Sequence, residues 1–207
     1  CLFIGFNVTS VFAQKITVAG SDIQSKLILL DREFNNPLFS PDNNNILFAG
    51  DSSNGVYIYN SAANQIKQIS AGPSSGYKYH WSADGALVGF KALIKSADGG
   101  FLQIPVIYEL ASGRVIALAA PSLHCGVPSF AQDGKIVFSL DKEIIILTKN
   151  LQEFNRIPVS AYANLTPVSP DGENILFNDR NDRIWLVNSR GTGLVALTEN
   201  EEGYFNP

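Results

Sequence analysis

The serine-centred segment Gly72-Pro73-Ser74-Ser75-Gly76 has the G-x-S-x-G spacing of the nucleophile elbow in serine hydrolases. In such an elbow a strand precedes the serine and a helix follows it, which exposes the hydroxyl group. Here the next residues, Tyr77-Lys78-Tyr79-His80-Trp81, are aromatic and show no helical periodicity. The segment is therefore predicted to be a linker between structural repeats, and we assign no catalytic residue.

The two histidines of the sequence, His80 and His124, are each predicted at the start of an inner strand. A metal site would need several such ligands close together. We therefore expect a structural hydrogen bond, or a position near a central channel, for both side chains. No metal-binding residue is assigned.

Acidic residues occur in two arrangements that could suggest ion binding or paired-carboxylate chemistry. The run at 178–183 offers oxygen ligands, but its arginines would repel a cation, and a solvated turn between strands is predicted instead. The second arrangement is a series of four separated aspartates: Asp42, Asp84, Asp133 and Asp171. Each belongs to a different predicted turn, so these carboxylates are expected to be structural. No cofactor or cofactor-binding residue is assigned.

The four aspartates belong to a short motif that recurs along the chain. Its copies are Ser40-Pro41-Asp42-Asn43, Ser82-Ala83-Asp84-Gly85, Ala131-Gln132-Asp133-Gly134 and Ser169-Pro170-Asp171-Gly172. Proline, aspartate and glycine in this order are typical of a tight turn between antiparallel strands. Successive aspartates are 42, 49 and 38 residues apart, which is the range of β-propeller blades.

Short apolar runs surround each motif and predict four strands per repeat. The runs directly after the motif are Ile46-Leu47-Phe48, Leu87-Val88-Gly89-Phe90, Ile136-Val137-Phe138 and Ile175-Leu176-Phe177. A third apolar run and a weaker alternating run follow in every repeat, which indicates buried inner strands and a polar outer edge. The 49-residue interval is attributed to a longer loop from Lys95 to Gln103 between the second and third strands.

The fold class predicted from these patterns is all-β: a β-propeller of four-stranded antiparallel blades, with about four blades of a six- to eight-bladed ring. The predicted blades are 37–70, 77–119, 126–158 and 165–198, with the start of a fifth at 204–207. Possible N-terminal strands lie within 15–36, at Ile16-Thr17-Val18-Ala19 and Leu27-Ile28-Leu29-Leu30, and one of them could close the ring.

Residues 1–14 are apolar and uncharged, and they are predicted to be the remnant of a secretory signal peptide. Two alternatives are a buried first strand and an acylated Cys1 of a lipoprotein. A signal peptide predicts a protein exported to the periplasm or cell envelope.

The composition agrees with an exported β-protein that has enough apolar residues for a core, at 45% hydrophobic. The formal net charge of −4 offers no basic stripe, so binding of nucleic acid is disfavoured. After loss of the leader Cys125 would be the remaining cysteine, and it is interpreted as a small buried residue.

The motif blocks, together with Arg183-Ile184-Trp185-Leu186-Val187 and the closing Leu197-Thr198, resemble the WD-like repeats of TolB-type propellers. The resemblance covers about residues 34–207. It implies a six-bladed propeller of the bacterial envelope that binds protein partners through its loops and channel mouth. The third repeat departs from Ser-Pro-Asp, and the N-terminal α/β domain of TolB has no counterpart here.

The function predicted from the resemblance is a non-enzymatic, protein-binding or scaffold propeller with a protein or peptide partner and no membrane span in the mature chain. An alternative is the substrate-gating propeller of a prolyl oligopeptidase or dipeptidyl peptidase, whose catalytic domain would lie outside this sequence. A third hypothesis is an enzyme with its site in the channel, but the predicted inner strands offer only His80 and Lys78 as ionisable groups.

Overall fold

The computed structural model describes residues 15–18, 21–24, 33–160, 162–179 and 181–198. Their regular structure consists of β-strands apart from a short 3-10 turn at Asp51–Ser53. The chain divides into two compact units, Cys1–Glu33 and Phe34–Pro207. Within the described residues, no helix has the length and apolar character needed to cross a membrane.

The first unit contains an antiparallel ribbon of two strands, β1 (Lys15–Val18) and β2 (Ser21–Gln24). Ile16 pairs with Ile23 across this ribbon. Strand β1 overlaps the predicted strand at Ile16-Thr17-Val18-Ala19. The predicted signal-peptide remnant at 1–14, the predicted strand at 27–30 and the predicted start of a fifth blade at 204–207 lie outside the described residues.

The second unit consists of four antiparallel sheets that follow one another along the chain. The first sheet contains β3 (Phe34–Phe39), β4 (Asn45–Gly50), β5 (Val56–Asn60) and β6 (Gln65–Ser70). The second contains β7 (Tyr79–Trp81), β8 (Leu87–Lys95), β9 (Phe101–Glu109) and β10 (Val115–Ala117). The third contains β11 (Ser129–Phe130), β12 (Ile136–Leu140), β13 (Glu143–Leu147) and β14 (Glu153–Pro158). The fourth contains β15 (Asn174–Asn178), β16 (Ile184–Asn188) and β17 (Val195–Ala196).

Strands that are neighbours in sequence are also neighbours in each of these sheets, so every sheet is a simple meander. This is the construction of a propeller blade, in which four antiparallel strands follow one another outward. The predicted all-β fold of antiparallel blades is confirmed.

The fourth sheet departs from the prediction because it has three regular strands within the described residues. The segment expected to be its innermost strand makes one isolated bridge, between Val168 and Ile175. Pro167 stands directly before Val168. It has no N–H group and cannot donate to the strand ladder. Beside the bridge only single bonds form between the described residues, from the Leu176 amide to Pro167 O at 3.0 Å and from the Ser169 amide to Asn174 O at 2.8 Å.

Apolar strands pack on both faces because alternate side chains point to opposite sides of the sheet. In β9, Val106 and Tyr108 pack in a cluster with the first sheet, whereas Ile107 packs with the third. In β13, Ile146 packs against the fourth sheet and Ile145 against the second. The continuous apolar runs of the sequence therefore form cores on both sides of a blade.

The recurring turn motif is held by a serine–aspartate hydrogen bond. Ser82 Oγ donates to Asp84 Oδ1 at 2.6 Å, and Asp84 Oδ1 accepts the amide of Ala86 at 3.0 Å. The same hydroxyl accepts the amide of Leu87 at 2.9 Å, where the next strand begins. Gly85 adopts a left-handed φ of 71° at the exit of the turn. The first and fourth sheets repeat this network with Ser40 and Ser169.

These hydrogen bonds hold the pKa of the motif carboxyl groups below their usual value. The serine bond is the main cause for Asp42, Asp84 and Asp171, and the backbone amides add to it. In the third sheet alanine replaces the serine, and Asp133 instead forms an ion pair with Lys135 at 2.7 Å. The predicted structural role of the four aspartates is consistent with these contacts.

Replacing Ser82 with alanine is expected to lower the free energy of unfolding by about 1–3 kcal/mol, because the buried hydroxyl bonds both Asp84 and the Leu87 amide. Urea denaturation measures this loss. The matched control is Ser96→Ala, because Ser96 donates to Asp98 in an exposed hairpin turn. Equal losses in the two variants would contradict the role given to Ser82.

The predicted loop from Lys95 to Gln103 is wrong, because most of the insertion extends two strands. Strands β8 and β9 pair continuously from Leu87 with Glu109 to Lys95 with Phe101. Only residues 96–100 form the turn, in which Asp98 accepts bonds from Ser96 and the Gly100 amide. We call residues 91–105 the extended hairpin. Cross-strand pairing satisfies its backbone groups, which a structureless loop would leave to water.

Candidate functional site

The connections between strands lie at two opposite ends of the sheets, as a meander requires. One end carries the motif turns and the turns between third and fourth strands. A hydrogen bond from the Leu110 amide to Ala86 O, at 2.9 Å, links two such turns in the second sheet. The other end carries the hairpins between second and third strands and the connections between sheets. There the Asp141 amide, in the hairpin of the third sheet, donates to His124 O, on the connection before that sheet, at 2.8 Å.

We call this second end the interblade face and define it by six residues on the sheet-to-sheet connections: Ser74, Tyr77, Leu123, His124, Tyr162 and Asn164. All six are exposed, and Leu123 has 65% of its surface accessible. Three connections from distant parts of the sequence therefore contribute to the same surface.

The G-x-S-x-G segment lies on the first of these connections, between β6 and β7. Ser75 is buried and donates to Gly72 O at 2.8 Å, which stabilises the turn. Ser74 is exposed, and the chain continues into strand β7 without a helix. The segment therefore joins two sheets, as the sequence predicted, and it lacks the strand-to-helix context of a nucleophile elbow.

His80 links the inner strands of the second and third sheets. Its Nδ1 lies 3.0 Å from Pro128 O. Burial lowers the pKa of His80 below its usual value, although the hydrogen bond to Pro128 opposes this effect. A neutral, hydrogen-bonded imidazole between two blades agrees with the structural role expected for this residue.

His124 has a different setting, because its ring is exposed on the interblade face. It stacks on Tyr162 with ring centroids 3.8 Å apart and an interplanar angle of 25°. Lys142 Nζ lies 5.9 Å from the centroid of the same tyrosine ring. The predicted position of His124 at the start of an inner strand is wrong, because the residue lies on the connection before β11 and the strand begins only at Ser129. No sequence pattern indicates its partner Tyr162, which lies on the next connection.

Asp179, from the acidic run at 178–183, is buried rather than part of a solvated turn. Its Oδ2 accepts bonds from Trp185 Nε1 at 2.9 Å and Arg183 Nε at 2.8 Å. Its Oδ1 accepts the Asn181 amide at 2.8 Å. The carboxylate of Asp179 is therefore already bonded to Trp185 and Arg183, and its contact with Arg183 is a structural ion pair.

The motif aspartates Asp42, Asp84, Asp133 and Asp171 lie at the end of the sheets opposite the interblade face. Each is bonded within its own turn. Within the described residues, no group of three or more His, Cys, Asp or Glu side chains has the geometry to hold a metal ion.

The inner strands of the first two sheets are joined by hydrogen bonds next to the interblade face. Trp81 Nε1 donates to Leu38 O at 3.4 Å, and the Tyr79 hydroxyl donates to Asn36 O. A cleft of about 460 Å³ lies between β3 and the start of β7, and Tyr77 and Lys78, which directly precede β7, line it. Phe39, the last residue of β3, is 60% exposed.

The extended hairpin brings to the interblade face a lysine that no sequence pattern indicates. Lys91 Nζ lies 3.2 Å from Gln103 Oε1, 3.4 Å from Cys125 O and 3.4 Å from Asn164 Oδ1. It also lies 5.3 Å from the centroid of the Tyr77 ring. Burial lowers the pKa of Lys91 below its usual value. Two sequence signals point to the extended hairpin that carries Lys91: the length of the second repeat, which the prediction attributes to a loop, and the motif copy Ser96-Ala97-Asp98-Gly99.

The extended hairpin also fixes the connection between the second and third sheets. Gln103 and Ser122 exchange backbone hydrogen bonds of 2.6 and 2.9 Å, and Gln103 Oε1 accepts the Cys125 amide at 3.3 Å. Cys125 is free and buried, as expected, and burial raises the pKa of its thiol to about 11. The hairpin therefore positions Leu123 and His124, which lie between these anchor points.

No family model matches the sequence, and no curated protein sequence matches it significantly. Solved structures do resemble the fold. The chain matches TolB from Acinetobacter baumannii with a TM-score of 0.59 and 16% identity over 81% of this chain. It matches a protein assigned as TolB from Agrobacterium tumefaciens with a TM-score of 0.62 and 18% identity over 85% of this chain. An oligogalacturonate lyase in complex with manganese matches with a TM-score of 0.56 and 12% identity over 78% of this chain.

The chain spans 44% and 66% of the length of the two TolB structures and 52% of the lyase structure. At these identities the likeness concerns the fold, and the same fold occurs in a TolB and in a lyase. The succession of antiparallel blades and the match to both TolB structures lead to one conclusion. The chain has the fold of a TolB-like β-propeller.

Proposed function

We propose that this chain belongs to a non-enzymatic propeller of the bacterial cell envelope, and that it binds a protein or peptide partner on the interblade face. The observation that carries the proposal is the convergence of three sheet-to-sheet connections and the extended hairpin on one exposed surface. Residence in the envelope is part of the proposal, and the apolar, uncharged segment at 1–14 and the TolB-like fold support it.

The side chains of the interblade face favour contact with a protein. Leu123, Tyr77 and Tyr162 expose 65%, 47% and 38% of their surface, and such apolar and aromatic groups provide much of the binding energy in protein interfaces. Lys91 and Lys142 lie beside the two tyrosine rings. Aromatic groups with adjacent cations are suited to a peptide that carries apolar and acidic residues.

The backbone of this face is fixed before any partner binds. The Gly76 amide donates to Ser53 O at 2.9 Å, and the Asp141 amide donates to His124 O at 2.8 Å. Each of these two sheet-to-sheet connections is thereby bonded to a neighbouring hairpin. A surface ordered in advance loses less conformational entropy on binding, which favours affinity.

The test is to select binding peptides from a random display library against the chain and to measure their affinity by fluorescence anisotropy. Leu123→Asp is expected to weaken the selected peptides at least about tenfold, because a charge would replace an exposed apolar contact at the centre of the face. The matched control is Leu151→Asp at the opposite end of the sheets, which is expected to change affinity by less than about twofold.

Circular dichroism melting of both variants checks that each keeps its fold. Equal affinities of wild type and Leu123→Asp, or a larger loss in Leu151→Asp, would overturn the assignment of the interblade face. A library that yields no binding peptide would contradict the peptide-binding function itself.

A further inference from the structure

Lys91 differs from the other partly buried cations because its contacts within the described residues are all neutral. Arg183 pairs with Asp179 at 2.7 Å, and Lys135 pairs with Asp133 at 2.7 Å. Lys91 Nζ instead contacts two amide oxygens, one carbonyl oxygen and a tyrosine ring. In the part of the chain that the structure describes, it has no carboxylate within ion-pair distance.

A partly buried positive charge without a counterion is costly, because burial removes water and no opposite charge compensates for the loss. Neutral oxygens offset part of this cost by hydrogen bonding. They leave the net charge of the cluster at one positive unit. An anionic ligand would supply the missing charge.

The space beside Lys91 has the size and polarity for such a ligand. An open cleft of about 300 Å³ is lined by Ser74, Tyr77, Lys91, Leu93, Gln103 and Asn164. Gln103 and Asn164 turn their side-chain oxygens to Lys91. Their NH₂ groups form no hydrogen bond to another described residue, so both remain available as donors beside the ammonium group.

The number of charges selects the class of anion. One ammonium group and two neutral amides match one negative charge, whereas a phosphate monoester carries about 1.5–2 charges at neutral pH and is usually bound by arginine or several cations. A carboxylate has two oxygens that can accept from the lysine and from one amide at the same time.

We propose that Lys91, Gln103 and Asn164 form a binding site for a carboxylate of the partner peptide. This inference rests on the peptide-binding function proposed above and specifies one chemical group that the partner presents. The carboxylate can come from an acidic side chain or from the C-terminus of a peptide, and small probes distinguish the two sources.

The experiment is an NMR titration of the uniformly ¹⁵N-labelled chain with capped dipeptides. The probes are N-acetyl-Ala-Ala with a free carboxylate, its C-terminal amide, and N-acetyl-Glu-Ala amide, which carries only a side-chain carboxylate. Saturable shifts of the Gln103 and Asn164 side-chain NH₂ signals are expected with a carboxylate probe, at dissociation constants of about 1–10 mM for so small a ligand. The uncharged amide is expected to cause no saturable shift.

Lys91→Gln is expected to reduce the association constant of the carboxylate probe at least about tenfold. The matched control is Lys95→Gln on the same strand, which removes an exposed lysine and is expected to change binding less than about twofold. Asn164→Ala, at an exposed position, provides a second variant and is expected to weaken binding about threefold or more.

Stronger saturation by the free C-terminus or by the glutamate probe identifies the source of the carboxylate and supports the site in either case. Inorganic phosphate is titrated in the same way as a further probe. Absence of saturable shifts with both carboxylate probes, equal binding in Lys91→Gln, or tighter binding of inorganic phosphate than of the carboxylate probes would overturn the site. Display-selected peptides that bind the interblade face without needing Lys91 would reject this site and leave the proposed function intact. Saturable binding of the probes together with a failed peptide selection would support the carboxylate site and contradict the proposed function.

Discussion

Phe138→Ala is expected to lower the free energy of unfolding by about 3–5 kcal/mol, the range found when a fully buried phenylalanine is truncated. Phe138 on β12 is completely buried and packs in a cluster with Ile107 of the second sheet and Ile145 of the third. Alanine would leave a cavity between two blades. Urea denaturation followed by circular dichroism measures the change.

Two further variants keep this prediction informative even if Phe138→Ala fails to fold. Phe138→Leu retains most of the volume and is expected to cost less than about 1.5 kcal/mol. Phe154→Ala, on the outer strand β14 where the ring is 49% exposed, is expected to cost about 0.5 kcal/mol. Similar losses for Phe138→Ala and Phe154→Ala would contradict the packing of the second sheet against the third.

Shortening the extended hairpin is expected to reduce the affinity of display-selected peptides at least about tenfold. In this variant Asn-Gly replaces residues 93–103, so that Ala92 and Ile104 become the last cross-strand pair before a two-residue turn. The change removes Gln103 and with it the bonds that hold Ser122 and Cys125. Leu123 and His124 then lose the anchors on either side of them.

The matched control replaces only residues 96–100 with Asn-Gly and keeps Lys95 opposite Phe101. This variant retains Lys91, Gln103 and the bonds to Ser122, so peptide affinity is expected to stay within about twofold of wild type. Equal affinity in the longer deletion would mean that the extended hairpin does not form the binding face. Equal loss in both deletions would place the contact at the tip of the hairpin instead.

The regular part of the fold is predictable because each repeat carries local signals that act within a few residues. Ser82, Asp84 and Gly85 satisfy one turn by hydrogen bonds between close neighbours, and the spacing of such turns indicates blades. The continuous apolar run of β13 indicates burial on both faces, and the structure confirms it.

Two errors of prediction concern local features of the chain. The loop from Lys95 to Gln103 is predicted from the 49-residue interval alone, and that prediction overlooks Ser96-Ala97-Asp98-Gly99, which repeats the turn motif and indicates a hairpin. The inner strand of the fourth sheet is expected at Val168, where the structure has a single bridge to Ile175 and Pro167 lacks an N–H group to donate.

The candidate site is not predictable because it depends on contacts between distant parts of the chain. Lys91 and Asn164 are 73 residues apart and come together only through the packing of successive blades. The chemical patterns that can be recognised in the sequence, such as G-x-S-x-G, belong to turns and linkers in the structure. Residue type and spacing indicate a site only when its members lie on the same or adjacent elements.

The measurement that tests the central claim most directly is an NMR map of a display-selected peptide on the ¹⁵N-labelled chain. We predict that the largest amide shifts cluster on the interblade face, at Tyr77, Leu123 and Tyr162, and extend to Gln103 in the extended hairpin. Shifts centred on the opposite end of the sheets, around Asp84 and Asp133, would contradict peptide binding on the interblade face and place the binding surface on the motif turns.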